Sequence, residues 1–334
     1  MRFTVSAPAS SANLGPGFDT LGLALDLWNE IAVDLNGAPG SVTLEGPEAA
    51  LLGDRENLSL KAMRRLADEH GRTLPPLALT VRTVIPVARG LGSSAAAIAA
   101  GLVAANEVLG LNLTTRDLYD LGWQMEGHGD NVGAALYGGA VLAVPHIREP
   151  FQLLADHDLG LVAVVFIPVI TGATWAARAA LPGTVPHPDA AFNVAAAAGL
   201  AVGLHTRNHA LIGAGMHDRL HEPYRARLFP HLEPLTIAAR RGGAVGACLS
   251  GAGPSILALV KPEHIDPVTT SLRDTAAHLG VVGEIVTLMP VARGAYITGD
   301  DAVAAADPSS TQEQPDQVQH RTAKAGPKPP TQDP

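Results

Sequence analysis

Apolar and polar positions along this chain fall into two repeating patterns. Residues 3–7, 31–35, 41–44 and 77–84 read as strands, the last by alternation, and so does 140–144 after Gly138-Gly139. Leu58, Ala62 and Leu66 recur at helical spacing, which predicts a helix over 58–70 stopped at Gly71. A long helix of small residues is expected over 93–109, and another over 114–125 with Thr114 and Thr115 placed to cap it. The apolar run at 161–167 predicts a buried strand. Helices are expected at 193–205, 209–220, 232–241 and 266–279, and strands at 247–249, 255–260 and 284–289.

This irregular alternation predicts an α+β architecture, with helices on one side of each sheet, and not a doubly wound parallel sheet. The proline-flanked stretch 145–150 is the expected boundary between a domain at 1–150 and a second at 151–304. The segment 305–334 has no Leu, Ile, Met or aromatic residue and holds six of the 26 prolines. It cannot bury enough apolar surface to offset its ordering entropy, so a disordered tail is expected there.

Composition narrows the class. The 334 residues carry 23 basic and 32 acidic side chains, a formal net charge of -9. Few cations are clustered, which argues against nucleic acid or an anionic membrane as partner. The uncharged stretches 159–177 and 242–260 approach membrane-span length, but Pro168, Thr171 and Gly172 break the first, and glycines with Pro254 break the second. Nothing at the amino terminus resembles a secretory signal, so a cytoplasmic location is expected. A lone Cys248 excludes an intramolecular disulfide and a cysteine-built metal site, and reads as a small core residue. His217 and His221 stand four apart around Asp218, like a zinc-protease helix. The acid is one methylene short and no third ligand is evident, so zinc is not expected.

Candidate chemistry collects in three glycine-bearing segments. Pro86-Val87-Ala88-Arg89-Gly90-Leu91-Gly92-Ser93-Ser94-Ala95-Ala96 follows a strand and opens a helix. Gly90 and Gly92 let the backbone turn and approach a ligand, Ser93 and Ser94 stand where an N-cap belongs, and the free amides of a helix start attract phosphate. It is neither a Walker loop, having Ser93 where the lysine belongs, nor a dinucleotide fingerprint, lacking the third glycine. Leu249-Ser250-Gly251-Ala252-Gly253-Pro254-Ser255 is a tight turn between two strands. The stretch 8–22 places Asn13 and Asp19 in a glycine-proline loop, either as an Asx-turn or as acceptors for a cationic ligand group.

In chain order, 8–22, then 86–96, then 249–255, the three segments resemble the motifs of the GHMP small-molecule kinases. Glu126-Gly127-His128-Gly129-Asp130-Asn131, the stretch 174–182 and the stretch 218–225 resemble the homoserine kinase branch of that family. The resemblance runs over about residues 3–297. It implies a two-domain fold, the first domain like domain 2 of ribosomal protein S5 and the second ferredoxin-like. The implied reaction is ATP-dependent phosphorylation of the L-homoserine hydroxyl in threonine biosynthesis, with ATP and Mg²⁺ as cofactors. A homodimer is common in the family, but no interface is legible.

Residue by residue, the resemblance assigns the segment 86–96 to the nucleotide phosphates, and Ser94 and Glu126 to Mg²⁺, which prefers hard oxygen ligands. It assigns Asn13 and Asp19 to the substrate ammonium, Arg178 and Arg225 to its carboxylate, and His128, Asp130 and Asn131 to the wall beside it. Ser94, Glu126 and Asn131 are the expected catalytic residues. Related kinases have an aspartate base where Asn131 stands, so direct in-line transfer without a dedicated carboxylate base is expected, the proton passing to the phosphate. Gly129 replaces the family's usual proline and adds freedom beside His128. Two alternatives stay open: another GHMP kinase acting on an isoprenoid alcohol or sugar, disfavoured because the arginine pair suits a carboxylate, or a non-catalytic ligand sensor, which would have lost Ser94 or Glu126.

Overall fold

The computed structural model describes residues 1–53, 56–147, 149–155 and 159–299. Strand β1 (Arg2–Asn13) turns at residues 14–16 into the long β2 (Gly17–Asp34), and this antiparallel hairpin frames the first sheet. Its other strands are β3 (Val42–Glu45), β4 (Ala78–Arg82), β5 (Ala140–Leu142) and β6 (Phe151–Leu154). A second sheet consists of β7 (Val162–Pro168), β8 (Gly246–Leu249), β9 (Ile256–Val260) and β10 (Gly283–Leu288), and the short β11 (Tyr296–Thr298) returns to the first. The first sheet runs β11-β1-β2-β4-β3, with β5 also beside β2 and β6 beside β5. Only the β3–β4 pair is parallel among the described strands.

The helices are α1 (Ala49–Leu52), α2 (Leu58–Glu69), α3 (Ser93–Leu109), α4 (Thr115–Glu126), α5 (Asp130–Tyr137), α6 (Thr174–Ala179), α7 (His187–Thr206), α8 (His209–Gly215), α9 (Glu222–Arg225), α10 (Leu232–Arg241) and α11 (Ile265–His278). Helix α3 is apolar nearly all round because it is buried nearly all round. Ala95, Ile98, Ala99 and Leu102 pack into the core with Met63 and Leu66 of α2, Leu118 of α4 and Val5 and Leu23 of the hairpin. In the second sheet the order β10-β7-β9-β8, all antiparallel, is the βαββαβ arrangement of a ferredoxin-like layer. Leu235 of α10 and Val268 and Leu272 of α11 cover it through Val164, Leu249, Ile256 and Ala258. The expected α+β class therefore holds.

Most elements lie where periodicity puts them. Helix α3 has the expected bounds, and Thr114 caps α4 through a reciprocal box with Asp117. Three expectations need correction. The stretch 8–22 is not a loop: β1 continues to Asn13 and β2 starts at Gly17, with register shifts at Pro8/Ala9 and Ala12/Asn13 absorbing residues that a regular ladder excludes. Ser93 and Ser94 do not cap α3. Gly92 is the N-cap, and the two serines are the first helical residues. The helix expected over 209–220 ends at Gly215, because Asp218 Oδ2 accepts the amides of Leu220, His221 and Glu222 and folds 218–222 into a separate turn. The expected tail at 305–334 lies outside the described residues.

Candidate active site

The three motif segments meet along one seam. Ser250 Oγ donates to the Gly90 carbonyl at 2.6 Å, so the Ser11 hydroxyl must be the donor in its 2.8 Å contact with Ser250 Oγ. Asn13 Nδ2 donates to the Gly251 carbonyl at 2.8 Å, and the Ser10 amide to the Leu91 carbonyl at 3.1 Å. Gly90 (φ +76°) lies so close to the Ser250 carbonyl that a Cβ would stand 2.1 Å from it. Beneath this seam opens a cleft of about 410 Å³.

Of the expected phosphate segment, Pro86, Val87, Ala88, Gly90, Gly92, Ser93 and Ser94 line the cleft. Leu91, Ala95 and Ala96 face the core, where they hold the loop and the first turn of α3 in place. Arg89 is also anchored away: its Nη1 lies 2.9 Å from Glu48 Oε2, which accepts the Val87 amide as well. The loop thus offers backbone amides and a helix start, with no free arginine.

Ser94, in the first turn of α3, donates to Glu126 Oε1 at 2.5 Å at the last residue of α4. The Asp130 carboxylate Oδ1 accepts from His128 Nδ1 at 2.6 Å and from the Asn131 amide at 2.7 Å. Burial disfavours charge on His128, but the Asp130 hydrogen bond and the carboxylates of Asp130, Glu126 and Asp19 outweigh it and raise its pKa. Asn131 Oδ1 accepts from Ser10 Oγ at 2.9 Å, leaving the amide NH₂ as the group it offers the cleft. Gly129 is sealed, not loose. A Cβ there would stand 2.3 Å from Tyr119 OH and 2.3 Å from a Trp123 ring carbon, so these two rings fill the space beside it.

At the other end Asp19, which is held in the left-handed region, pairs with Arg178 through two bonds of 2.8 and 3.0 Å. The hydrogen bond to Asp19 raises the Arg178 pKa. Arg225 is 2% exposed, and its burial lowers its pKa. The Phe18 ring lies beneath both guanidiniums, 5.7 Å from Arg178 Cζ and 5.3 Å from Arg225 Cζ. Asn13, Asp19, His128, Asp130, Asn131, Arg178 and Arg225 all line the one cleft.

Sequence reading missed the cleft's apolar end, formed by Ile31, Leu44, Leu52, Leu58 and Val81 beside Asn29, Asn57 and Thr83. A polar Asn29 amid the apolar β2 was the available signal: its Oδ1 accepts the Val84 and Ile85 amides and sets the entry to the phosphate loop. His221 Nε2 contacts the Gly15 carbonyl at 2.7 Å, and no group of three or more His, Cys, Asp or Glu suited to a metal exists among the described residues.

Glu222, partly buried behind the seam, accepts the Leu249 amide at 2.6 Å, and desolvation of its carboxyl pushes its pKa up to about 8. Between the ordinary value of 4.5 and about 8 the folded chain keeps a proton that the unfolded chain releases. Stability from this group is therefore full below pH 4.5 and falls as pH rises through that window. Glu222→Gln, which keeps the acceptor, is expected to gain stability relative to the parent across it, by on the order of a few kcal/mol. Urea unfolding of both proteins at pH 5, 6.5 and 8 checks this; parallel curves would remove the buried-proton account.

A phosphate-type loop opening a buried helix, an oxygen pair at its mouth and a doubly charged pocket beside it define a small-molecule kinase. Models of the GHMP kinases N terminal domain and of the GHMP kinases C terminal match residues 57–139 and 200–278. A homoserine kinase of Crocosphaera subtropica is 38% identical over 300 residues, covering 88% of this chain and 97% of its own. One from Thermosynechococcus vestitus is 40% identical over 290 residues, covering 86% and 96%. The crystal structure of homoserine kinase from Cytophaga hutchinsonii superposes with a TM-score of 0.79 at 28% identity, covering 89% of this chain and 97% of that one. The chain belongs to the homoserine kinases of the GHMP kinase family.

Proposed function

We propose that this chain transfers the γ-phosphoryl group of ATP to the hydroxyl of L-homoserine, giving O-phospho-L-homoserine for threonine biosynthesis. The observation that carries the reading is the cleft itself, which joins the phosphate loop to a pocket bearing both Asp19 and the Arg178–Arg225 pair. A carboxylate alone would not single out homoserine, since mevalonate also has one. An acidic group for an ammonium beside arginines for a carboxylate matches an amino acid. The apolar end at Ile31, Leu44 and Val81 suits the adenine.

In this reading the amides of 90–94 and the start of α3 hold the phosphates. Ser94 and Glu126, two hard oxygen donors 2.5 Å apart, suit Mg²⁺ completed by phosphate oxygens and water. Bound there, the ion would neutralise charge on the β- and γ-phosphates. Asn13 and Asp19 take the ammonium, Arg178 and Arg225 the carboxylate, and the wall of His128, Asp130 and Asn131 sets the hydroxyl in line with the γ-phosphorus. The Asp130 Oδ1 that could have served as base already accepts two hydrogen bonds, and Asn131 is no base at neutral pH. The hydroxyl proton therefore leaves on the transferred phosphate, and positioning supplies most of the acceleration.

Among the described residues no helix is long and apolar enough to cross a membrane, and we place the enzyme in the cytoplasm. ADP release with Mg·ATP against homoserine, threonine, mevalonate and galactose tests the reading. Turnover above background is expected with homoserine by at least about a hundredfold over the others, as a site built to pair both charges should discriminate. Preference for mevalonate or galactose, or no turnover, would refute it.

A further inference from the structure

His221 lies outside the roles assigned so far, yet it is 0% exposed and bridges two parts of the site. It follows the turn closed by Asp218, whose Oδ1 in turn accepts from Asn193 Nδ2 of α7 at 2.8 Å. Arg225 Nη1 sits 3.1 Å from His221 Nδ1. A guanidinium can only donate, so Nδ1 is the acceptor and the ring proton must reside on Nε2, which donates to the Gly15 carbonyl at 2.7 Å. The other bonds of Arg225 go to carbonyls, from Nε to Ala177 at 3.3 Å and from Nη1 to Gly251 at 3.2 Å. Nη2 makes none of these bonds, and Arg225 lines the cleft.

We infer that His221 is a positioning residue for substrate recognition: a neutral acceptor that orients the Arg225 guanidinium without itself adding a carboxylate to the Asp19, Asp218 and Glu222 charges already near it. The alternatives at this point do worse on physical grounds. A carboxylate would fix the guanidinium equally well but would pair with its charge and cancel its pull on a substrate anion. A second cation would repel it, as protonation of the ring itself would by placing N–H against N–H. An apolar residue would leave a buried donor without a partner. Burial, the largest influence on the ring, lowers the His221 pKa and keeps it in the neutral form the geometry requires. The turn at Gly15 receives the other ring nitrogen, so the hairpin that carries Asp19 and the arginine that faces it are registered through a single imidazole.

The inference rests on homoserine being the substrate, and the test separates the two. His221→Asn places an amide oxygen where Nδ1 stands and keeps the acceptor while losing the bond to Gly15. His221→Gln reaches the Gly15 carbonyl and loses the acceptor. Steady-state kinetics with homoserine and ATP varied separately, alongside thermal melting, give the readout. With the parent protein turning over homoserine, His221→Asn is expected to keep the homoserine KM within about threefold. His221→Gln is expected to raise it by about 10- to 100-fold, the worth of one hydrogen bond to a charged group. The ATP KM should hold within about twofold in both, and kcat should change less than the homoserine KM. Equal effects of the two variants, the reverse order, or a parallel rise in the ATP KM would overturn the assignment. If His221→Gln does not fold, His221→Ala takes its place with the same expectation. Failure of the parent to use homoserine overturns the functional reading instead.

Discussion

Glu126→Gln is expected to lower kcat by about 10²- to 10³-fold at saturating Mg·ATP and homoserine, the loss usual when one preorganised charged group is removed from a transition state. Glu126 is the last residue of α4, and Gly127 in the left-handed region turns the chain away immediately after it. The carboxylate is thereby held against Ser94 at the start of α3. Glutamine has the same shape and can still accept the Ser94 hydroxyl, so packing and melting temperature should hardly move. What disappears is the negative charge, which a cation beside the phosphates would miss and which makes a smaller contribution at His128. A Mg²⁺ titration should show the midpoint displaced to higher concentration, together with the fall in kcat. Wild-type turnover in the variant would remove Glu126 from the metal assignment.

Gly92→Ala is expected to damage both stability and turnover. Gly92 sits at φ +70°, where an L side chain is strained, and its Cβ would stand 2.1 Å from Ser10 Oγ and 3.1 Å from Asn131 Oδ1. Strain of about 1–2 kcal/mol adds to overpacking of about 1–3 kcal/mol, so a destabilisation of about 3 kcal/mol is expected. Relief by moving Ser10 breaks the hydrogen bond that orients Asn131, so activity should fall by at least about a thousandfold in whatever fraction folds. Gly110→Ala is the control. Gly110 ends the same helix at φ +58° with nothing within 4 Å of its Cβ position, and should lose about 1 kcal/mol with kinetics unchanged. Urea unfolding and turnover of both variants check this, and equal losses would mean that backbone strain alone explains Gly92.

Legibility in the sequence followed the range of the forces involved. Helix α3 was readable to the residue because its small apolar run begins and ends on glycines that carry their own conformational signal. The capping box at Thr114 is local chemistry and was equally plain. Stretch 8–22 was misread because its serines, glycines and prolines signal a turn locally, whereas partners on β2 and in the 249–255 loop make it strand. Helix α6, which carries Arg178, has only six residues and no side-chain cap, so periodicity had nothing to register. For the site, the motifs named the cleft's phosphate-loop and charged lining but not its apolar end at Ile31, Leu44 and Val81. They could not show that Arg89 is held by Glu48, that Gly129 is filled by Tyr119 and Trp123, or that His221 stands behind Arg225, because each fact is a contact between distant segments.

Strand β1 is paired on one side with β2 and on the other with β11, whose Tyr296, Ile297 and Thr298 lie opposite Ser6, Val5 and Thr4. During synthesis the first partner arrives within a few residues, while the second follows nearly the whole chain. Until then the nascent hairpin has an open edge of the kind that recruits stray strands. The same late arrival governs the seam, since Ser250 and Gly251 reach Ser11 and Asn13 from across most of the sequence. Cradling a nucleotide between distant segments thus carries a cost in folding order. The seam closes only after residues near the far end of the chain have been made, so its contacts are among the long-range ones that fold late.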